Sequence, residues 1–486
     1  MNIHRTSLLR GVLTSRVAGL VALATLLGAC TLGPPYVRPS APTSSMFKET
    51  SGWQPAEPAD ALDRGNWWAL FGDAELDRLE SQVEVSNQNV AAAVASYAQA
   101  RALVRLDRAA LFPALGATAG VTRAGGGSGA TGTSRSGNSL QAGLDASWEP
   151  DVWGRLRLAV TGAEASAQAS EADLAAAKLS AQALLATDYF ALRESDAEEE
   201  LLRTTVAGYE RALTITQNSY NAGISAKTDV LQAQTTLENA RATLVGLANQ
   251  RAQLEHAIAV LVGKPPGDFS IAVATWTMTV PTVPPGVPST LLERRPDIAA
   301  AERAVAAANA QIGIQRSAYF PSLSLSGSYG FASSTASQLF TAPSSLWSIG
   351  LSVAQTVFDA GATRARVAGA EAARDVTIAQ YRQTVLAAFQ NVEDQLSLSR
   401  TLREQEGSRR RASAAADLVE QQLLNQYRAG QVAYTNVVTA QASALSARQS
   451  LVQLVSSQQA SAIALIQALG GGWHAPQAFA DAASAP

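Results

Sequence analysis

The sequence predicts a mixed α+β membrane protein, internally duplicated, with long coiled-coil helices and four transmembrane β-strands per chain. Three observations carry that expectation. The two halves match at an offset of about 207 residues: Tyr220-Asn221-Ala222-Gly223 matches Tyr427-Arg428-Ala429-Gly430, and Phe112-Pro113 matches Phe320-Pro321. Apolar residues then recur in heptads through Pro-free stretches, and period-two alternation appears twice, once in each half.

Composition narrows the chemistry. The chain has 486 residues, 47% hydrophobic and 16% charged, which suits a large core rather than disorder. A net charge of −3 gives no basic footprint for nucleic acid. Three His and one Cys leave little from which to build a metal or thiol site, and no cofactor is expected.

Residues 1–29 read as a signal peptide. Arg5, Arg10 and Arg16 precede the apolar run Val17–Leu27, too short to span a bilayer, and Leu27-Gly28-Ala29-Cys30 resembles a lipobox. Cys30 then becomes the first mature residue and carries covalent lipid. Thr31 in place of Asp matches the outer-membrane sorting pattern of bacterial lipoproteins. No later segment has eighteen consecutive apolar residues, so strands must make any membrane crossing.

Residues 30–72 read as a lipidated N-terminal segment, expected to contribute to an equatorial collar on the resemblance given below. Repeat one covers 73–262, a Pro-rich connector 263–296, repeat two 297–470 and a tail 471–486. Each repeat reads as helix, strand pair, very long helix, turn and long helix. From Arg155 to Tyr220 there is no Pro, and at ~1.5 Å per residue that stretch reaches ~100 Å. Val230, Leu237, Leu244, Arg251 and Ile258 form one heptad row and Ala233, Ala240, Leu247, Leu254 and Leu261 the other, a coiled-coil seam. Abundant Ala fits a closed tube of helices and equally a solid bundle.

The strand pairs fall at about 113–149 and 321–357, after Pro113 and Pro321. Leu323, Leu325, Tyr329 and Phe331 share one face while Ser322, Ser324, Ser326 and Ser328 share the other. Trp347, Ile349, Leu351 and Val353 alternate with Ser348, Gly350 and Ser352, and Leu140, Ala142, Leu144, Ala146 and Trp148 with Gln141, Gly143, Asp145, Ser147 and Glu149. One apolar and one polar face suit a barrel with a wet lumen. Four strands cannot close in lipid alone, so other chains must complete the barrel; counting leaves dimer and trimer open.

The segment Gly286-Val287-Pro288-Ser289-Thr290-Leu291-Leu292-Glu293-Arg294-Arg295-Pro296-Asp297-Ile298 resembles a hallmark of the outer-membrane efflux factors, the TolC-like and OprM-like channels. Gly33-Pro34-Pro35-Tyr36-Val37-Arg38-Pro39, Trp67-Trp68-Ala69-Leu70-Phe71, Glu149-Pro150-Asp151-Val152-Trp153-Gly154-Arg155 and the Tyr-x-x-Gly turns add to the likeness. The resemblance implies a homotrimer with a twelve-stranded barrel in the outer membrane and a twelve-helix periplasmic tube. It implies a periplasmic adaptor and an inner-membrane RND-type pump as partners, and a passive exit duct for drugs or other small toxic compounds.

It also implies a gate at the tip, where Gly223 and Gly430 turn the helices back. Asp229 and Tyr427 match residues that help hold the tip closed; the other account is that Asp229 favours a helix N-terminus and Tyr427 packs in the seam. Asn436 and Thr439 stand where acidic residues line the constriction in TolC-like proteins, and Val432 where an arginine contributes to closure. An Arg294/Arg295/Asp297 network is expected to be structural, His256 solvated or packed, Arg409–Arg411 a solvated face, and Trp67 and Trp68 collar anchors.

An enzyme is disfavoured, since no nucleophile motif, HExxH-type motif or P-loop occurs, and Asp145 with Glu149 makes a weak carboxylate pair. A trimeric surface adhesin would not require the duplicated unit. A metal-ion efflux or secretion duct of the same fold stays open.

Overall fold

The structure is a computed structural model that describes residues 32–42, 44, 46–49, 65–125, 136–283 and 294–473. The signal peptide, Cys30 and Gly286–Glu293 lie outside the described residues.

After a 3-10 turn at Trp67–Phe71, helix α1 (Ala74–Ser86) leads to α2 (Gln88–Ala109), strands β1 (Ala114–Gly125) and β2 (Ser136–Trp148), and helices α3 (Arg155–Asn221) and α4 (Lys227–Leu261). The second half repeats the series as α5 (Pro296–Ser317), β3 (Ser322–Ser333), β4 (Ser345–Ala354), α6 (Ala362–Arg428) and α7 (Tyr434–Ala468). Counterpart helices have equal lengths: 22 residues for α2 and α5, 67 for α3 and α6, 35 for α4 and α7.

The helices form a layer. α3 packs against α2 and α4 along one flank and against α5 and α7 along the other, and α6 packs on the far side of α5 and α7. At ~1.5 Å per residue α3 and α6 are each ~100 Å long. The seam is seen in Val230, Ala233, Leu237, Ala240, Leu247, Ile258 and Leu261, all buried. Arg251 breaks its row because its guanidinium reaches Asp196 at 2.6 Å.

The core lies at mid-height. Trp67, Phe71, Leu76, Leu79, Tyr189, Phe190 and Ile463 meet there, with the Phe71 and Phe190 rings 4.9 Å apart. Each such side chain contributes roughly 1.5–3 kcal/mol through burial. Trp67 and Trp68 are therefore packing residues of this core. The connector is held to this core by a buried network. Arg193 donates to Asp196 at 2.8 Å and to the Ala272 carbonyl at 2.9 Å, Arg251 donates to the Ile271 carbonyl at 2.7 Å, and Glu255 accepts from the Ile271 N–H at 2.5 Å. Paired this fully, buried charge costs little and fixes the connector's path.

The four strands form one antiparallel sheet in the order β1-β2-β3-β4, with β2 and β3 joining the two repeats. The register sets Leu144 opposite Ala117 and Tyr329, and Tyr329 opposite Trp347, so the apolar residues of all four strands share a face. In the single chain that face is bare: Leu115, Val121, Ile349 and Leu351 are more than 60% exposed. The other face is mostly Ser, Thr and Gly, with Gln141 and Asp145 from β2, and Ser324 is bonded to Ser352 at 2.7 Å and Ser328 to Ser348 at 2.8 Å.

Candidate functional site

The candidate residues fall at the two helix turns, at the helix joints and along the N-terminal segment. At the tip both long helices end in the same motif. Gly223 and Gly430 have φ of 74° and 72°, which side chains disfavour. Their N–H groups bond back to the Tyr220 and Tyr427 carbonyls, and the next N–H groups, of Ile224 and Gln431, bond to the Ser219 and Gln426 carbonyls. These bonds engage three carbonyls of each last helical turn as the chain reverses, counting those of Asn218 and Asn425.

The two turns are packed together. Tyr427 lies 5.1 Å from Tyr434, and Tyr434 and Val437 pack on Ala233 of α4. The Tyr427 hydroxyl is buried, with Ser225 and Asp229 as polar neighbours, yet completes no hydrogen bond of ordinary geometry. Burial first, and then the Asp229 charge, hold the phenol above its ordinary pKa, partly offset by Ser225. Burial likewise pushes Tyr434 up to about 12. Asp229 and Tyr427 are therefore neighbours within one chain.

Asn436 and Thr439 are not part of that contact. They are exposed one turn apart on α7, and Thr439 donates to its own helix at the Thr435 carbonyl, 3.0 Å away. By the repeat relation Asn436 is the counterpart of Asp229, and Tyr220, 40% exposed, that of Tyr427. Val432 is half-buried at the counterpart of Ser225.

The remaining sequence candidates resolve simply. Arg295 pairs with Asp297 at 2.7 Å and donates to the Ala468 carbonyl, a joint between helices. His256 and Arg409–Arg411 are exposed, and no acidic, His or Cys cluster of metal-binding form occurs among the described residues. Asp145 and Glu149 do not form a pair on one strand: Glu149 lies beyond the end of β2 and is held by Arg155 at 2.7 Å, because the chain turns there into α3.

One feature was not foreseen from the sequence. Residues 32–42, with 44 and 46–49, form a strap along α5 and then α6. Asn309 donates to the Pro34 carbonyl at 2.9 Å, Tyr36 donates to Glu302, Arg382 donates to the Ser40 carbonyl at 3.1 Å, and Arg400 pairs with Glu49 at 2.6 Å. Gly33 lies against Gly313 so closely that a Cβ on Gly313 would stand 2.7 Å from the Gly33 Cα. The strap's beginning is thereby fixed at the membrane end of α5. The Pro-rich block after Cys30 was the available signal, since it cannot form helix or a central strand.

A duplicated chain whose sheet is apolar on one face and polar on the other, continued by ~100 Å helices, has the architecture of an outer-membrane channel subunit. The profile of the outer membrane efflux protein family matches residues 79–264 and 287–471, one segment for each repeat. The chain belongs to that family and is an outer-membrane channel component of an efflux pump.

Similar relatives include the probable efflux pump outer membrane protein TtgC of Pseudomonas putida, 31% identical, with 95% of this chain and 96% of the relative covered. The cation efflux system protein CusC of Escherichia coli strain K12 is 30% identical, with 93% and 98% covered. Among solved structures, the outer-membrane channel OprN superposes with a TM-score of 0.85 at 31% identity, with 91% of this chain and 100% of that one covered. The open state of the Neisseria gonorrhoeae MtrE channel superposes with a TM-score of 0.81 at 27% identity, with 91% and 98% covered.

Proposed function

We propose that three copies of this chain close into a lipid-anchored duct through which small toxic compounds leave passively, driven by an inner-membrane RND-type pump acting through a periplasmic adaptor. The carrying observation is how the two repeats meet. Within the chain β2 pairs with β3, and α3 packs on α5 and α7. The edges left open, β4 with α6 and β1 with α2 and α4, are the same two surfaces with the repeats exchanged. A neighbouring copy can therefore make the internal contact again, and a head-to-tail contact repeated in this way closes a ring. Three four-stranded sheets supply the twelve strands of a barrel without edges.

The strap supports the lipid on Cys30. Three residues span at most ~11 Å, so a cysteine three residues before Gly33 stays near the membrane end of the helices. The polar face of the sheet, mostly hydroxyls and glycines with Asp145 as a charged member, suits a permissive lumen, which favours drugs and solvents over a single cargo. Relatives carry names that specify toluene, antibiotics, pyoverdine and cations. No group in this reading performs chemistry on the cargo.

The test is accumulation of a dye and antibiotic panel in a deletion strain, with and without re-expression of the gene. Raised accumulation reversed by re-expression is expected. Unchanged accumulation across the panel, in a strain shown to lack redundant ducts, would exclude multidrug export and leave the metal or secretion routes.

A further inference from the structure

The two repeats differ in one face. On α5, Glu302, Asn309 and Gly313 carry the strap; their counterparts on α2 are Val94, Arg101 and Arg105, which are not covered by any described segment. Arg101, Arg105 and Arg108 follow at spacings of four and three, so they share one helix face, and all three are exposed. Arg105 thus puts a guanidinium where its counterpart Gly313 leaves room for backbone.

The neighbouring charges neutralise only one end of this stripe. Arg108 pairs with Glu164 of α3. Glu171 of α3 is a charged neighbour of the Tyr97 hydroxyl, and the Arg101 guanidinium lies 5.7 Å from the Tyr97 ring centroid. Neither Arg101 nor Arg105 is in an ion pair among the described residues. The stripe ends six residues before β1, where Leu115, 82% exposed, begins the bare apolar face.

We infer that Arg101 and Arg105, with Arg108 at their edge, bind the headgroup phosphate of an anionic phospholipid in the leaflet facing the helical tube. Arginines just outside a hydrocarbon band sit at phosphate level. A guanidinium meets a phosphate through two parallel hydrogen bonds, and the acyl chains lie against the apolar strand residues. The strap occupies this position in repeat two, and lipid occupies it in repeat one. The inference rests on the membrane-duct reading.

The test uses the full-length protein in mild detergent, titrated with phosphatidylglycerol and followed by native mass spectrometry. Phosphatidylcholine and inorganic phosphate serve as controls. Phosphatidylglycerol should bind more tightly than phosphatidylcholine, and Arg101→Gln with Arg105→Gln should weaken it roughly thirtyfold, from about 1 kcal/mol for each charge. Phosphatidylcholine binding should not change, and Arg101→Lys with Arg105→Lys should retain most of the preference. Equal phosphatidylglycerol affinity in a correctly folded Gln variant would overturn the site. Competition by inorganic phosphate at the lipid's own concentration would reduce it to a free-anion site and overturn the lipid assignment. Failure of the wild type to fractionate with outer membranes would instead count against the duct reading.

Discussion

Asn87 donates from Nδ2 to the carbonyl oxygen of Leu261 at 2.8 Å, joining the end of α4 to the start of α2. Its Oδ1 meanwhile accepts from the Asn89 and Val90 N–H groups at 2.9 and 3.1 Å. In repeat two Arg295 makes the counterpart bond to Ala468, also 2.8 Å. Two shorter helices are thereby stacked end to end along each long one. Asn87→Ala removes a cap and leaves a buried carbonyl unpaired, for an expected loss of roughly 1–3 kcal/mol. Asn87→Asp, which keeps the cap but not the donor, should recover part of it. Denaturant midpoints measure both, and an unchanged midpoint in Asn87→Ala would show that the joint adds no stability.

At the tip the Tyr427 hydroxyl is buried without a completed hydrogen bond, so Tyr427→Phe should change stability by no more than about 0.5 kcal/mol. Asp229→Ala combined with Tyr427→Phe should raise single-channel conductance in planar bilayers if the pair latches the turns. Because burial and Asp229 hold the phenol above its ordinary range, Tyr427 stays neutral through about pH 10, and conductance should not follow its ionisation below that. Unchanged conductance in the double variant would leave both residues as packing.

How much of this was legible follows from where the information is local. The duplication, the helix lengths and the tip glycines rest on spacing and on φ > 0, which the sequence displays directly. The alternation of Leu140, Ala142 and Leu144 gave the sheet's faces, and the register confirms them across all four strands. The strap was not legible, because an extended segment held by Asn309, Glu302 and Arg382 has no period of its own. Nor was the neighbourhood of Asp229 and Tyr427 within one chain, which depends on how two hairpins converge. The ion pair of Arg251, which stands in an apolar heptad row, was not legible either, because its partner Asp196 is supplied only by the fold.

Glu80 makes the case for a pH dependence. It is 0% exposed, both carboxylate oxygens lack a partner, and burial first, then Glu84 and Asp77, push its pKa up to about 9. The folded state holds this proton while the unfolded chain releases it near 4.5. The contribution to stability is therefore full below that value and is lost progressively as pH rises toward about 9. Glu80→Gln keeps the neutral form at every pH. It should raise stability at pH 7.5 by roughly 1–3 kcal/mol and flatten the decline between pH 5 and 9, seen as a thermal midpoint series. A variant no more stable than wild type at pH 7.5 would mean that Glu80 is solvated or paired.

Ring closure can be tested at single-residue resolution because the repeat relation transfers the register. β1 maps onto β3 by 208 residues and β2 onto β4 by 207, as the pairs Ala114–Ser147 and Ser322–Ala354 require. The internal pair Leu144–Tyr329 then becomes Leu351 opposite Val121 of the next copy. Facing residues in an antiparallel pair have Cα atoms about 4.5–5.5 Å apart, within disulfide reach. A chain carrying both Val121→Cys and Leu351→Cys should form, on mild oxidation in membranes, a reducible ladder ending at three copies. Thr122→Cys with Leu351→Cys should cross-link poorly, since one step along a strand reverses the face. Equal yields from the two pairs, or a ladder ending elsewhere, would mean that the copies meet in another register or number.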